Sequence, residues 1–151
     1  MTRPDWDELE LAWAAGYFDG EGSIGCYGGK GSGNNKSLAL SVGNTQLEEL
    51  ERFKAAVGGV GTINGPYSKN KRKPFYSYRV QNVEGVKFVV SCIWNYLSSN
   101  KRNDIETAYS DYETYKNRPQ KECSIHIGVE KVLINGRETC KQCLVSRLPT
   151  K

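Results

Sequence analysis

A short stretch of small residues and acids, AAGYFDGEGSI at positions 14–24, restricts the fold of this 151-residue chain more than any other feature. The apolar bulk in front of it and the spacing of its small residues predict a helix. Ala12 and Gly16 fall one turn apart on that helix, so small side chains form a stripe that lets another helix backbone approach closely. Gly20 and Gly22 are predicted to end the helix.

The predicted helix has a start signal and two acids at its end. Asp5 followed by Glu8 is a capping-box pattern, which predicts Asp5 as the N-cap. Asp19 and Glu21 lie two positions apart in the glycine-rich break. One carboxylate there could be a cap, and two could be a metal site.

The rest of the chain alternates strand and helix patterns. Leu38, Leu40 and Val42 alternate with Ser37 and other small residues, which is typical of a half-buried strand. The order predicts an α+β domain at 1–118, with four strands in an antiparallel sheet and helices on one face, and a small extension at 119–151. The predicted segments after the first helix are strands at 23–29 and 36–43, a helix at 45–58, strands at 60–65 and 75–82, and helices at 83–98 and 103–117.

The other face of the predicted sheet is polar and carries few acids. Such a face can lie in a DNA major groove, or it can simply face water, and alternation alone does not separate the two. A basic run at 68–79 carries five Lys and Arg residues with no acid, on a chain of net charge +4. A polyanionic partner and a solvated hairpin tip both explain it.

Composition excludes two classes of protein. No apolar run approaches the roughly 20 residues that span a bilayer, so no membrane partner is expected. The first ten residues, MTRPDWDELE, are acidic and lack the apolar segment of a secretory signal. Five cysteines, an odd number, argue against a disulfide framework. We therefore expect an intracellular protein, in the cytoplasm or an organelle matrix.

The segment AAGYFDGEG at 14–22 resembles the LAGLIDADG motif of homing endonucleases, with Ala14 where the family usually has Leu. Gly16, Asp19 and Gly22 match the motif, and Glu21 stands at its final acidic position. The similarity extends over about residues 7–117, and 41–63 resembles the family's second strand, second helix and third strand.

This resemblance implies an αββαββα fold whose four-stranded sheet binds DNA. It implies a Mg²⁺-dependent endonuclease that cuts both strands of a long, near-palindromic double-stranded DNA site, with no small-molecule substrate. Because the motif occurs once, the resemblance implies a homodimer. Its interface would include Ala12, Ala15, Gly16 and Asp19, and would bring two copies of Glu21 together.

The family's site roles are transferred by position. Glu21 would bind the catalytic metal, with the backbone carbonyl of Gly20 as a second ligand, and Asp19 would be structural. Asn44 would position water, and Lys101 would stabilise charge near the phosphate. The alternatives are that Glu21 is a solvated loop carboxylate and Lys101 an ordinary helix-terminal cation.

The resemblance also implies which residues contact DNA. The polar sheet face would read bases, and Arg79 could pair with guanine through two hydrogen bonds. The Lys and Arg residues of the strand ends and loops would hold phosphates. The expected DNA contacts are Ser23, Tyr27, Lys30, Lys36, Ser37, Ser41, Asn64, Lys69, Lys71, Arg72, Lys73, Ser77, Arg79 and Gln81.

The C-terminal extension carries a different pattern. Cys123 and His126 are separated by two residues, as are Cys140 and Cys143, with a possible Asn135–Gly136 hairpin turn between the pairs. This spacing is typical of a tetrahedral, structural Zn²⁺ site. The alternatives are free thiols or an unrelated buried histidine.

Two rival functions also stand: a LAGLIDADG DNA- or RNA-binding protein that lost cleavage, such as a maturase or regulator, and an interaction module.

Overall fold

A computed structural model describes residues 7–28, 36–68, 70 and 72–117, together with the backbone of 131–134 and 137–140. The chain divides into two compact units, residues 1–116 and 117–151. In the second unit, the structure describes an antiparallel hairpin of two strands, Lys131–Ile134 and Arg137–Cys140.

The first unit confirms the predicted α+β order. A single turn of 3₁₀ helix at Trp94–Tyr96 separates its last two helices. The elements are α1 (Glu8–Glu21), β1 (Gly22–Gly28), β2 (Lys36–Asn44), α2 (Leu47–Ala56), β3 (Thr62–Tyr67), β4 (Phe75–Val80), α3 (Val83–Ile93) and α4 (Ser99–Lys116).

The four strands form the predicted antiparallel sheet, in the order β1-β2-β4-β3. The register puts Val42 of β2 opposite Gly22 of β1 and Tyr78 of β4. Since side chains alternate across a strand, this register gives the sheet one apolar and one polar face. The helices cover the apolar face, where Leu38, Leu40 and Val42 are fully buried. The polar face is left uncovered by the helices of this unit.

Helix α1 is joined to α2 on one flank of the core. The Arg52 guanidinium donates to both carboxylate oxygens of Glu10, at 2.9 and 2.7 Å, and lies 3.9 Å from the centre of the Trp13 ring. Hydrogen bonding to Arg52 holds the pKa of Glu10 below its usual value. These contacts fix which side of α1 packs against α2.

Three helix ends differ from the predictions. The N-cap of α1 is Asp7, whose carboxylate accepts from the Leu9 amide at 2.9 Å, and not Asp5. Helix α3 ends at Ile93 instead of residue 98, and α4 begins at Ser99 instead of residue 103. The early start of α4 has a local cause, because the Ser98 hydroxyl accepts from the Lys101 amide at 3.2 Å and caps the helix.

Among the described residues, no helix combines the length and the apolar composition needed to cross a bilayer.

Candidate active site and nucleic-acid interface

Glu21 is the last residue of α1, and Gly22 is the C-cap that ends the helix, as predicted, whereas Gly20 lies within the last turn. The Gly22 amide donates to the Phe18 carbonyl and ends the helix there. A Cβ atom at position 22 would overlap the Phe18 ring, so only glycine allows this turn. The carbonyl of Gly20 lies in the last turn, where helix carbonyls lack intrahelical partners, and the Glu21 side chain is exposed.

Lys101 lies against this end of α1. Its Nζ donates to the Gly22 carbonyl at 2.8 Å and lies 5.3 Å from the centre of the Phe18 ring. An ammonium group at a helix C-terminus is stabilised by the helix dipole. The neighbouring Arg102 is used elsewhere, because it donates to the Trp94 and Asn95 carbonyls at 3.1 and 3.0 Å. The register therefore places the Lys101 ammonium group on the backbone of Gly22, the residue that follows Glu21.

Asp19 binds Ser98 of the same chain. Its carboxylate accepts from the Ser98 amide at 3.0 Å and from the Ser98 hydroxyl at 2.9 Å. Since Ser98 caps α4, Asp19 ties the start of α4 to the end of α1. The same contact positions Lys101, which lies three residues after Ser98.

Asn44 lies at the end of β2 and is oriented at both ends of its amide. Its Oδ1 accepts from the Gln46 amide at 3.0 Å, and its Nδ2 donates to the hydroxyl of Tyr17. Burial raises the pKa of Tyr17 above its usual value, and the negative charges of Glu49 and Glu21 raise it further. The hydrogen bond from Asn44 lowers this pKa but does not cancel the rise. Sequence reasoning missed Tyr17, although its position one turn before Glu21 places both on one side of α1.

The donor set at this end of α1 fits a hard cation. A Glu21 carboxylate and a Gly20 carbonyl are oxygen ligands of the type that Mg²⁺ prefers. In the part of the chain that the structure describes, no cluster of three or more His, Cys, Asp or Glu side chains could hold a metal alone. Mg²⁺ in nucleic-acid enzymes commonly takes one or two carboxylates and completes its shell with water and substrate phosphates.

The exposed side of α1 carries the small stripe. Ala12, Gly16 and Gly20 are exposed, and a Cβ atom on either glycine would meet no atom within 4 Å. Ala15, expected at the same interface, is 0% exposed and lies in the core of its own chain. It therefore has no accessible surface to offer a partner. Leu9 extends the stripe and is 79% exposed.

The polar sheet face brings most of the expected DNA contacts together. One row across the sheet pairs Ser23 with Ser41, Ser41 with Arg79, and Arg79 with Thr62. Arg79 is exposed, and its Nε donates to the Ser77 hydroxyl at 3.2 Å. Ser77 itself is only 5% exposed, so little of its surface remains for a ligand.

The other side chains of this face are divided between internal contacts and solvent. The Ser23 and Ser41 hydroxyls lie 2.9 Å apart, and the Ser37 hydroxyl donates to the Gln81 carbonyl at 2.8 Å. Of the expected DNA contacts that the structure describes, the exposed ones are Ser23, Tyr27, Lys36, Asn64, Arg72, Lys73, Arg79 and Gln81.

Several predicted positions lie outside the described residues. These are Lys30, Lys69 and Lys71 of the expected DNA contacts and Cys123, His126 and Cys143 of the expected zinc site. Cys140 ends the second strand of the C-terminal hairpin and is described only by its backbone. Cys26 and Cys92 are partly buried, and the Cys92 thiol donates to the Phe88 carbonyl at 3.1 Å.

Known proteins resemble this chain in family and in fold. A family model described as LAGLIDADG endonuclease matches residues 14–112. No curated protein matches the chain significantly. Similar folds occur among solved DNA complexes, of which three are named here. The homing endonuclease I-CvuI with the I-CreI target is 20% identical, with a TM-score of 0.58, and the match covers 73% of this chain and 69% of that one. The LAGLIDADG meganuclease I-CpaMI on uncleaved DNA is 19% identical, with a TM-score of 0.57 and coverages of 72% and 37%, and the LAGLIDADG homing endonuclease I-GzeII with its DNA target is 17% identical, with a TM-score of 0.58 and coverages of 76% and 39%.

The structural likenesses at this low identity concern the fold, whereas the family model covers well over half of the chain. Its match begins at Ala14, within α1, and runs through the whole sheet into α4. The chain belongs to the LAGLIDADG endonuclease family.

Proposed function

We propose that this chain is a homing endonuclease that hydrolyses both strands of a long, near-palindromic double-stranded DNA site as a Mg²⁺-dependent homodimer inside the cell. The observation that carries the proposal is the placement of Lys101, whose ammonium group binds the Gly22 carbonyl at 2.8 Å beside Glu21. An exposed carboxylate and a fixed cation thus both lie where α1 ends and β1 begins. The three solved relatives named above are complexes with a DNA target or with uncleaved DNA.

The catalytic roles follow from the contacts at the end of α1. Glu21 and the Gly20 carbonyl would hold Mg²⁺, which when bound supplies Lewis-acid stabilisation of charge on the phosphate oxygens. Lys101, held by the Gly22 carbonyl, would place a positive charge next to the same phosphate. Asn44, held by Tyr17 and by the Gln46 amide, orients water with the second hydrogen of its amide.

The homodimer is proposed from the exposed side of α1. Helix interiors disfavour glycine by about 1 kcal/mol relative to alanine, and nothing within the described chain requires glycine at position 16 or 20. Contact with the α1 of a second copy explains both residues, because small side chains allow close backbone approach. A two-fold axis there would bring the two Glu21 side chains near each other and supply one carboxylate for each strand.

DNA binding is proposed for the polar sheet face. Arg79 and Asn64 are exposed on it, and Lys36, Arg72 and Lys73 lie exposed at its ends. Phosphate contacts by these cations would fix the register, and the face itself would read bases in the major groove. We keep the structural Zn²⁺ site as a proposal for Cys123, His126, Cys140 and Cys143, on their spacing alone.

The test uses the purified full chain on a randomised duplex library, with Mg²⁺ for cutting and Ca²⁺ for binding alone. We expect enriched cut ends with two-fold-related sequence. Glu21→Gln should lower the cutting rate at least about 100-fold while binding survives, since even residues that only orient metal ligands contribute about 10- to 100-fold. Glu48→Gln, an exposed carboxylate of α2, is the matched control and should cut normally.

Two outcomes contradict the proposal. If Glu21→Gln cuts as fast as the natural chain, the site assignment is wrong. If the natural chain binds a sequence in Ca²⁺ and does not cut it in Mg²⁺, the protein is a catalytically degenerate member that binds DNA or RNA, such as a maturase or a regulator.

A further inference from the structure

Two exposed aromatic residues lie opposite each other in the strand pairing at one end of the polar sheet face. Phe75 at the start of β4 lies opposite Tyr67 at the end of β3, and they are 43% and 53% exposed. Their neighbours in the strand pairing are Asn64 and Ser77, whose polar side chains can hydrogen-bond to a ligand. Neither aromatic residue belongs to the contacts that the family resemblance implies.

An irregularity in β3 places Tyr67 there. Asn64 pairs with Ser77, but the next recorded pair is Tyr67 with Phe75, so β3 contains one extra residue. A regular ladder would put Pro66 opposite Phe75 and turn Tyr67 toward the other face. The bulge therefore assembles the pair.

Gly43 of β2 lets the Phe75 ring lie down on the sheet. A Cβ atom at position 43 would overlap Cζ of Phe75 and come within 3.1 Å of its Cε2, so the ring lies over the Gly43 backbone. In this position Phe75 remains 43% exposed on the open face of the sheet, so part of it can contact whatever covers that face. Gly43 directly precedes Asn44, so the ring lies at the end of β2 that carries the proposed catalytic residues.

We propose that Phe75, which lies opposite Tyr67, is a contact site for the C5-methyl group of a pyrimidine, normally thymine, near each cut. The inference rests on the proposed function, because it assumes that this face binds DNA. A phenylalanine ring can neither donate nor accept a conventional hydrogen bond. In the major groove, the apolar feature that distinguishes one base pair from another is the thymine methyl group. The pair would thus add methyl recognition to a face of polar readers.

The test removes single methyl groups from the DNA. After a target has been selected in Ca²⁺, each thymine is replaced in turn by uracil, which differs only in that methyl group, and affinity is measured. We expect one uracil substitution in each half-site to weaken binding about three- to five-fold, the effect of burying roughly one methyl group. In Phe75→Ala this penalty should disappear at the same position, and in Phe75→Leu it should persist. Cytosine and 5-methylcytosine at that position show whether the methyl group is recognised apart from thymine.

A matched control separates recognition from a structural role. Tyr96→Ala removes a ring that is 41% exposed on the 3₁₀ turn and should leave the uracil penalty unchanged. If Phe75 only covers the Gly43 backbone, Phe75→Ala will lower stability and leave every uracil penalty as it was, which overturns the inference. If the natural chain selects no DNA sequence, the proposed function fails and this inference fails with it.

Discussion

The two acids at the end of α1 have different roles because of helix geometry. Residues two apart on an α-helix point about 200° away from each other. Asp19 therefore faces α4, where it binds Ser98, while Glu21 lies one turn after Tyr17 on the side of Asn44. One acid is taken up by the fold, and the other is left exposed.

Tyr17→Phe tests the part of the site that sequence reasoning missed. Losing the hydroxyl that accepts from Asn44 should slow cleavage about five-fold, the equivalent of one hydrogen bond of about 1 kcal/mol, with little change in DNA affinity. Burial keeps the pKa of Tyr17 above its usual value, so the phenol is neutral near pH 7 and the shape of the pH profile should not change. Single-turnover cleavage measures the effect.

Tyr96→Phe, on an exposed tyrosine away from the site, is the control for Tyr17→Phe. Unchanged cleavage by Tyr17→Phe would show that Asn44 does not need the phenol for its position. A change in the pH profile would show that the phenol itself exchanges a proton.

At the scale of elements, α1 has four sides with four different neighbours. Phe18 faces the core, Trp13 faces α2, Asp19 faces α4, and Gly16 faces open space. Because each side of this 14-residue helix has a different neighbour, small and large side chains are mixed along it without a simple period. The side that faces open space is the one available to a second chain.

Gly16→Ala tests the proposed α1 contact with two opposite effects. In the separate chain it should raise the free energy of unfolding by about 1 kcal/mol, because alanine favours a helix and its Cβ meets no atom within 4 Å. In the dimer, the added methyl group should push the two helices apart and raise the dissociation constant. Urea unfolding at low concentration and analytical ultracentrifugation measure the two effects.

Ser110→Ala, at an exposed position of α4, is the control, because it changes helix propensity away from α1. It should stabilise the chain slightly and leave dimerisation unchanged. A Gly16→Ala chain that dimerises like the natural one would exclude α1 as the contact.

At the scale of the whole molecule, the C-terminal unit is tested by metal content. We expect about one zinc per purified chain, and Cys140→Ser should lose it because a four-ligand site would be broken. Cys26→Ser, which alters a cysteine of β1 in the first unit, should keep the zinc. Metal-free natural protein, or zinc retained by Cys140→Ser, would contradict the site.

The faces of the sheet were predictable from sequence, whereas several helix ends were not. Strand periodicity is local, so alternation around Leu40 was enough to separate the core face from the open face. The start of α4 depends on Ser98, whose hydroxyl is held by Asp19 from 79 positions away. The bulge in β3 likewise becomes visible only from its pairing with β4.

The sequence by itself determined the family, the element order and the identity of the acid at Glu21, because each is written in contiguous residues. The tertiary structure decided which cation and which hydroxyl lie at the end of α1 that carries this acid. Lys101 reaches Gly22 across 79 positions, and Tyr17 reaches Asn44 across 27. It also decided that Ala15 is core while Gly16 is surface, since burial depends on what packs against each side of a helix. Long-range contacts of this kind are set by packing around the common core, and no local pattern encodes them.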